Sequence, residues 1–542
     1  MNRTVVQASP SAQSSSAQSA RSRLIKAGAI WFALATLVLV VLYARVLHHT
    51  FDGDFQGWAS ASCMTMAHSF NQLGALHTHF VPIQNNLPLG SDPDVYLHWP
   101  PLFPLLLSVV THVLGDQESS ARLFALAITL ATTGVVVAIA RRLYGTLTAL
   151  LSGFFFLTAR ATYEGGRAIL HQPLAMLFGT ATVLFFLLAT GEPSSAADAP
   201  ASRRRLYAAL GLLTSICTVL TAWDPIFIPL GLLISSLYLR RRPAARLAGI
   251  YVISGVLTFL AVQADYISSY PALFKNQFAT IAYRAGIRFN IASSTRLHTI
   301  VDRVHYGLNQ LSFLGTGAFI TRWLLLYFCD FTLLSGFLFL GLWLRSNRRD
   351  NVAAVYLIGG LGLPWVIFFA LMRNYVAVHP FPLVLGAPFL AIASGYILGR
   401  IWEFLDREEH AGPRYLLYVM IVVLPLLVLY PAATTAQNAK TPFGAAEFQD
   451  LSDVIRDNTS PDSVTLSPSE SAVPIYYSER HVVRGIETPE LLRLAIPQAR
   501  VDFPASRLFF ALQDKDRPAF YKALPGFVVV ARQGDSTLYS VP

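Results

Sequence analysis

Two acids one residue apart, Asp52 and Asp54, stand in the stretch His48-His49-Thr50-Phe51-Asp52-Gly53-Asp54-Phe55-Gln56-Gly57, directly behind the first long apolar segment. A carboxylate pair at the mouth of a membrane span can supply a general base and a partner that binds a metal or holds a hydrogen bond. Asp-Gly-Asp is equally what a solvated loop start looks like, so spacing alone leaves both readings open. The same polar loop, residues 50–99, closes with His98-Trp99-Pro100-Pro101. Prolines fix the chain direction there, and Trp suits the headgroup level of a bilayer. His98 is then either a substrate-binding group or part of an interfacial anchor. Carboxylates at a membrane surface suit a substrate that is half lipid and half water-soluble.

Three later stretches carry further candidates. In Arg160-Ala-Thr-Tyr-Glu164-Gly-Gly-Arg167-Ala-Ile-Leu-His171, Arg167 could hold a phosphate, and His171 could hydrogen-bond a sugar or ligate a metal. The plain alternative is a solvated turn between two spans. A long loop, 264–311, sets Lys275, Arg284, Arg288, Arg296 and Arg303 against Asp265 and Asp302, an excess of positive charge suited to an anionic lipid headgroup. The third is Arg373-Asn374-Tyr375-Val376-Ala377-Val378-His379, which puts Arg373 and His379 at the level of the acids. Asp330 lies in an apolar run, where pairing with a cation such as Arg322 is its expected role.

These groups need a scaffold, and composition says which kind. The 542 residues are 54% hydrophobic and 13% charged, against roughly 25% charged in soluble domains. Apolar runs of about 20 residues recur, enough to cross a hydrocarbon core of about 30 Å. About eleven spans are expected, near 27–46, 121–140, 147–159, 173–190, 206–222, 226–239, 247–263, 322–344, 352–371, 380–398 and 415–430. Arg-rich connections follow at every second end: Arg141-Arg142, Arg203-Arg204-Arg205, Arg240-Arg241-Arg242, then Arg345, Arg348 and Arg349. With a cytoplasmic N-terminus this obeys the positive-inside rule throughout. The run Leu102–Leu114 is too short to span and follows Pro-Pro; counting it as a crossing would put the arginines outside, so it is expected to be interfacial or re-entrant. The net charge of +10 is thus topological, with no nucleic acid partner.

Residues 1–23 are Ser-, Gln- and Ala-rich and expected to be a disordered cytoplasmic tail, 24–431 the transmembrane domain, and 432–542 an extracytoplasmic domain. In the last, helix-like stretches (446–457, 489–495, 518–524) alternate with strand-like ones (464–467, 508–512, 527–531, 537–541). Thr488 before Pro489-Glu490 is a helix start. The fold class is therefore an α-helical polytopic membrane protein with a small C-terminal α/β domain. Cys63, Cys217 and Cys329 make no disulfide framework and read as small buried hydrophobes.

In this arrangement the chain resembles the GT-C class of multi-spanning glycosyltransferases, near protein O-mannosyltransferases and aminoarabinose transferases of lipid A. The elements that carry the resemblance are Asp54-Phe55-Gln56-Gly57, His98-Trp99-Pro100-Pro101, Gly115-Asp116-Gln117-Glu118-Ser119-Ser120-Ala121-Arg122, and the 373–379 stretch. The resemblance implies a polyprenyl-phosphate-linked sugar donor, an active site on the outer face, and Asp54 acting on the acceptor with Asp52 in reserve. The acceptor is a glycan, lipid or protein. The family's second acidic position falls near Glu164, which joins His98, His171 and His379 as substrate-binding groups. Arg167, Arg373 and Arg288 are the cations for the donor phosphate. A divalent metal (Mg, Mn or Zn) on Asp54 and His171 would complete the site; His171-Gln172-Pro173 stands where a His-Glu pair is frequent. The rival is a transporter or flippase of lipid-linked sugars, which tends to show internal repeats that this sequence lacks.

Overall fold

A computed structural model describes residues 10–51, 57–89, 94–97, 99–192, 200–271, 281–282, 284–285, 324–325, 328, 330–346, 351–378, 381–407, 411–438, 445–469, 471–520 and 525–542. Asp52, Asp54, His98, Arg288 and His379 lie outside the described residues.

Each of the eleven expected spans overlaps a helix, the eighth and tenth only in part, since much of 322–329 and residue 380 lie outside the described residues. In chain order the first ten helices are α1 Pro10–Val46, α2 Gly57–Leu73, α3 Leu102–Leu114, α4 Glu118–Tyr144, α5 Thr146–Thr158, α6 Arg160–Arg167, α7 His171–Thr190, α8 Ala201–Thr221, α9 Phe227–Tyr238 and α10 Arg242–Ser269. Helices Asp330–Arg345, Val352–Leu371, Ala387–Arg407 and Ala411–Asn438 complete the bundle. Among the described residues six are long and apolar enough to cross a membrane, and α3, α5, α9 and segments of two others are apolar but shorter. Asp330 stands at the start of its helix rather than inside it, and the last bundle helix continues past Pro431.

The centre of the bundle is α5, whose residues from Leu147 to Leu157 are almost all buried, packed against α1, α4 and Ala387–Arg407. Gly395 and Gly399 make this possible. A Cβ on Gly395 would fall 2.7 Å from the Ser152 backbone nitrogen, so the two backbones touch through a Gly-x-x-x-Gly face. Between helices in lipid there is no hydrophobic drive, and such close packing supplies the attraction instead.

At one end of the bundle the arginine-rich connections gather. Arg142 Nε donates to the Glu192 carbonyl at 3.0 Å, Arg241 pairs with Glu192 at 3.3 Å, and Arg23 with Asp406 at 3.5 Å. The other end carries the 50–99 segment and the C-terminal domain. The segment read as a polar loop holds a 17-residue helix, α2, whose small residues bury it between α3 and the Val473–Ser478 helix. The sequence Gly-Trp-Ala-Ser-Ala-Ser-Cys-Met lacks a polar face to mark it, which is why periodicity missed it. Cys63 is buried there, and burial pushes its thiol up to about 12.

The C-terminal domain is a five-stranded sheet in the order β2-β1-β3-β5-β4, with β1 Val464–Leu466, β2 His481–Val483, β3 Leu508–Gln513, β4 Val528–Gln533 and β5 Ser536–Ser540. β2, β1 and β3 run parallel; β5 is antiparallel to β3 and β4. Alternation along β3 explains the layers. Phe510 and Leu512 pack with Leu491, Leu492 and Ala495 of the Pro489–Asp502 helix, while Phe509 and Ala511 pack with Leu451, Val454 and Ile455 of Ala445–Asn458. Thr488 caps the former helix, accepting from the Leu491 N–H at 3.2 Å. The expected strands and the helices near 446–457 and 489–495 are present; of the helix expected over 518–524 only Arg517–Phe520 is described, 521–524 lying outside the described residues, and β2 and Val473–Ser478 are additional.

The domain is fastened to the 50–99 segment. Asn85 gives its amide N–H to the Val482 carbonyl at 2.8 Å and takes the Val482 N–H at 3.0 Å, filling the open edge of β2 as a neighbouring strand would. Asn86 reaches the Ile475 carbonyl at 2.8 Å, and Arg484 pairs with Asp94 at 3.6 Å.

Candidate active site

The chain immediately before Asp52 is gripped from two sides. Arg122, fully buried in α4, donates to the His49 carbonyl at 3.0 Å, and its guanidinium lies 5.3 Å from the Phe51 ring centroid. The Phe51 N–H donates to the Tyr477 hydroxyl at 2.8 Å, and that hydroxyl donates to Glu118 at 2.6 Å. Burial, then the Glu118 carboxylate, pushes the Tyr477 hydroxyl well above its ordinary range, so it stays a donor. Here the Gly115–Glu118–Arg122 pattern acquires a physical role. Gly115 turns the chain at φ 96°, Glu118 sits in the first turn of α4 where the helix dipole favours an acid, and Arg122 follows one turn later. Together with the C-terminal domain they fix the root of the Asp52–Gly53–Asp54 segment.

A second group converges at the same end of the bundle. The stretch read as a turn between spans is the helix α6, and its charges are buried rather than solvated. Arg167 pairs with Glu164 at 2.9 Å, Arg160 approaches the same carboxylate at 3.8 Å, and the Arg167 guanidinium lies 5.3 Å from the Tyr163 ring. Arg167 and Glu164 side chains are 4% and 5% exposed, so each needs the other's charge. Gly165 leaves room for Val384 of the turn Phe381–Gly386, so α6 lies flat against the chain that follows Arg373. The Ser60 hydroxyl of α2 accepts the Ile169 N–H at 3.0 Å, tying this region to the 50–99 segment.

Beyond Ile169, α7 begins at His171. Its ring packs on Trp99 at 4.2 Å, and Trp99 on Tyr375 at 5.8 Å. Arg284 closes the group, its guanidinium 4.7 Å from both the Trp99 and the Tyr375 ring centroids. Gln172 gives its amide to the Tyr375 hydroxyl at 2.9 Å. Tyr266 holds the backbone of Trp99, donating to its carbonyl at 3.1 Å. Two buried polar atoms, His171 Nε2 and Gln172 Oε1, have no hydrogen-bond partner among the described residues. Buried polar groups are normally satisfied, so these two await a ligand or water.

Of the residues singled out from sequence, Glu164, Arg167, His171 and Arg373 are described, and all four stand at this end; Arg373 opens the short helix that carries Tyr375. Trp99, Gln172 and Tyr375 were not among the expected substrate groups. Arg284 is one of the five basic residues of its loop, and Lys275, Arg288, Arg296 and Arg303 lie outside the described residues. Among the described residues the neighbours of His171 are Trp99 and the Arg284 cation, and no group of three His, Cys, Asp or Glu side chains that could hold a metal gathers; Asp54, the other expected metal ligand, lies outside them.

Residues 98–262 match the dolichyl-phosphate-mannose-protein mannosyltransferase family. No curated protein matches the sequence. Among solved structures the fold is similar to ArnT from Cupriavidus metallidurans bound to undecaprenyl phosphate, at 16% identity and a TM-score of 0.57, over 94% of this chain and 98% of that one. It is also similar to the archaeal oligosaccharyltransferase AglB from Archaeoglobus fulgidus in complex with an inhibitory peptide and a dolichol-phosphate, at 11% identity and a TM-score of 0.59, over 92% and 70%. A further structure of the Archaeoglobus fulgidus oligosaccharyltransferase, with Zn and sulfate, matches at 12% identity and a TM-score of 0.53, over 91% of this chain and 69% of that one. This multi-pass chain therefore has the fold of the GT-C glycosyltransferases, the class its sequence resembles.

Proposed function

We propose that the protein transfers a sugar from a polyprenyl-phosphate-linked donor to an acceptor at the membrane face opposite the cytosol. The observation that carries this reading is the Arg284 guanidinium held over Trp99 and Tyr375, beside two buried polar atoms without partners among the described residues. A leaving phosphate gains negative charge as the glycosidic bond breaks, and a fixed cation in a dry aromatic setting stabilises that charge. Arg284, with Arg373 close in sequence to Tyr375, fills that role. Arg167 is matched by Glu164, so the α6 triad of Arg160, Glu164 and Arg167 offers one net positive charge rather than three separate groups. His171 and Gln172 present acceptor and donor atoms to sugar hydroxyls, and His98, His379 and Arg288 are the remaining groups assigned to the substrate.

Asp54, with Asp52 beside it, takes the proton of the acceptor hydroxyl or amine as it attacks the anomeric carbon. A single displacement inverts the configuration there, and the electron pair leaves on the lipid phosphate. The prenyl tail lies along the bundle, which accounts for a membrane scaffold. The orientation, with the N-terminus cytoplasmic and residues 432–542 outside, is supported by the clustering of the arginine connections at the far end from this group. A divalent metal beside Asp54 is compatible with this scheme and no step requires it.

The decisive experiment is incubation of purified protein with radiolabelled polyprenyl-phosphate sugars, wild type against Asp54→Asn. Wild type consumes the donor; the variant inserts normally and transfers about 10²–10⁴-fold more slowly, as loss of a general base predicts. Full transfer by an inserted Asp54→Asn protein removes the assigned role.

A further inference from the structure

Away from the arginine–aromatic group lies a cleft of about 260 Å³ that the proposed reaction does not use. Four separate pieces of chain build it. Thr65 and His68 come from α2, Asp116 and Glu118 from the turn into α4, Asn86 from the 50–99 segment, and Arg456, Tyr476, Tyr477 and Glu479 from the C-terminal domain. We propose that this cleft, between α2 and the Val473–Ser478 helix, is a subsite for a hydroxyl-rich sugar ring of the acceptor, and this rests on the transferase reading above.

Three features select that occupant. Asp116, Glu118 and Glu479 outnumber the cations, so a phosphate or other anion is repelled and the donor's headgroup is kept out. Carboxylates offer acceptors for vicinal hydroxyls, and Tyr476, packed between Phe51 and Tyr477, adds an aromatic wall. These groups are already held in place: His68 bonds Asp116 at 2.5 Å, Tyr477 bonds Glu118 at 2.6 Å, and Tyr476 packs edge-on against Tyr477 at 4.9 Å. Glu479, exposed, is the one lining acid whose side chain has no hydrogen bond or ion pair among the described residues. A peptide is the poorer fit, because β2, the sheet edge beside the Val473–Ser478 helix, has its Val482 N–H and carbonyl taken by Asn85. A strand cannot add there. The volume is below the roughly 300–1,000 Å³ of drug-sized sites and suits a single ring. Tyr477 also holds the Phe51 N–H, so the cleft borders the root of the Asp54 segment, where an acceptor must arrive.

The test is saturation-transfer-difference NMR on the full-length protein in lipid nanodiscs, with glucosamine, N-acetylglucosamine and methyl mannoside as probes and a Ser/Thr peptide in parallel. Saturation transfer to the ring protons of at least one sugar is expected, weakened about tenfold or more in Tyr476→Ala and in Glu479→Gln, as loss of a charge-assisted hydrogen bond or an aromatic face predicts. Tyr476→Phe keeps the signal and reports that the fold is intact. Absence of sugar signal in the wild type, an unchanged signal in both variants, or signal from the peptide alone overturns the proposal. Donor consumption is measured on the same samples: its absence with sugar binding retained sinks the transferase reading and leaves the binding site standing.

Discussion

The two polar regions at this end of the molecule are built from opposite materials. Around Arg284 the walls are Trp99, Tyr375 and the His171 ring, and the buried charges of α6 are matched within one short helix. Around His68 and Tyr476 the walls are carboxylates and phenols in an open cleft that solvent fills. A half-buried cation stacked on two aromatic rings acts on a developing anion, whereas groups in an open cleft exchange hydrogen bonds with water and bind neutral polyols weakly and reversibly. Under the proposed function the leaving group belongs to the first and the entering group to the second.

Several substitutions would break or sharpen that contrast. The largest effect is expected in the dry region from Glu164→Gln, which strands the Arg167 charge in a buried position. Loss of one partner of a buried pair costs about 3–5 kcal/mol, visible as a lowered unfolding temperature in detergent. The equivalent change at exposed Glu479 should leave the unfolding temperature alone; equal effects at both would erase the contrast. Next is Arg284→Ala, expected to lower kcat/KM for the lipid donor about 10–100-fold, the worth of one charge-assisted bond. Arg284→Lys should recover only part of this, since Lys lacks the planar face that lies over two rings.

Asn85→Ala comes third. It leaves the buried Val482 N–H and carbonyl without their partner, at about 1–3 kcal/mol, and hydrogen exchange at Val482 should accelerate while the bundle amides stay protected. The smallest effect concerns pH and belongs to the wet cleft alone. The hydrogen bond to Asp116 holds the His68 imidazole above its ordinary value of 6.5, with burial opposing and the charges of Asp116 and Glu479 adding. A raised folded value means that the contribution is complete below the unfolded value and disappears as pH climbs through the folded one. The stability difference between wild type and His68→Gln should therefore shrink on going from about pH 6 to about pH 9, and a difference that grows with pH would refute the pairing.

Much of this architecture is written in the residues. Runs of apolar side chains mark the bundle because hydrocarbon imposes length, and the arginines mark one end because charge crosses lipid at a cost. The strands of the C-terminal sheet show because Val464-Thr465, Phe509-Phe510 and Val528-Val529-Val530 are β-branched or aromatic between turn residues. What stayed hidden has a common cause. α2 opens with small residues and no polar face, and α6 is so charged that it reads as solvated although Glu164 and Arg167 are buried. β2 is three residues long and depends on pairing with β1. In the site, Glu164, Arg167, His171 and Arg373 were legible as unusual charges between spans. Trp99, Gln172 and Tyr375 were not, since membrane proteins carry many interfacial aromatics and only three-dimensional proximity distinguishes these. Arg122 and Tyr477 illustrate the same point, as their partners lie on distant segments.

The glycine face of Ala387–Arg407 has a mechanical consequence. One of the two helices it joins, α5, runs directly into the α6 charges, and the other begins just after the segment bearing Arg373 and Tyr375. At Gly395 their separation is set by a close backbone approach, with Ser152 N and Thr148 O where a Cβ would stand. Under the proposed function the two halves of the phosphate-facing wall are thus gauged like the jaws of a fixed calliper, and a change of lipid thickness or temperature should alter how fast substrate enters more than how it is gripped.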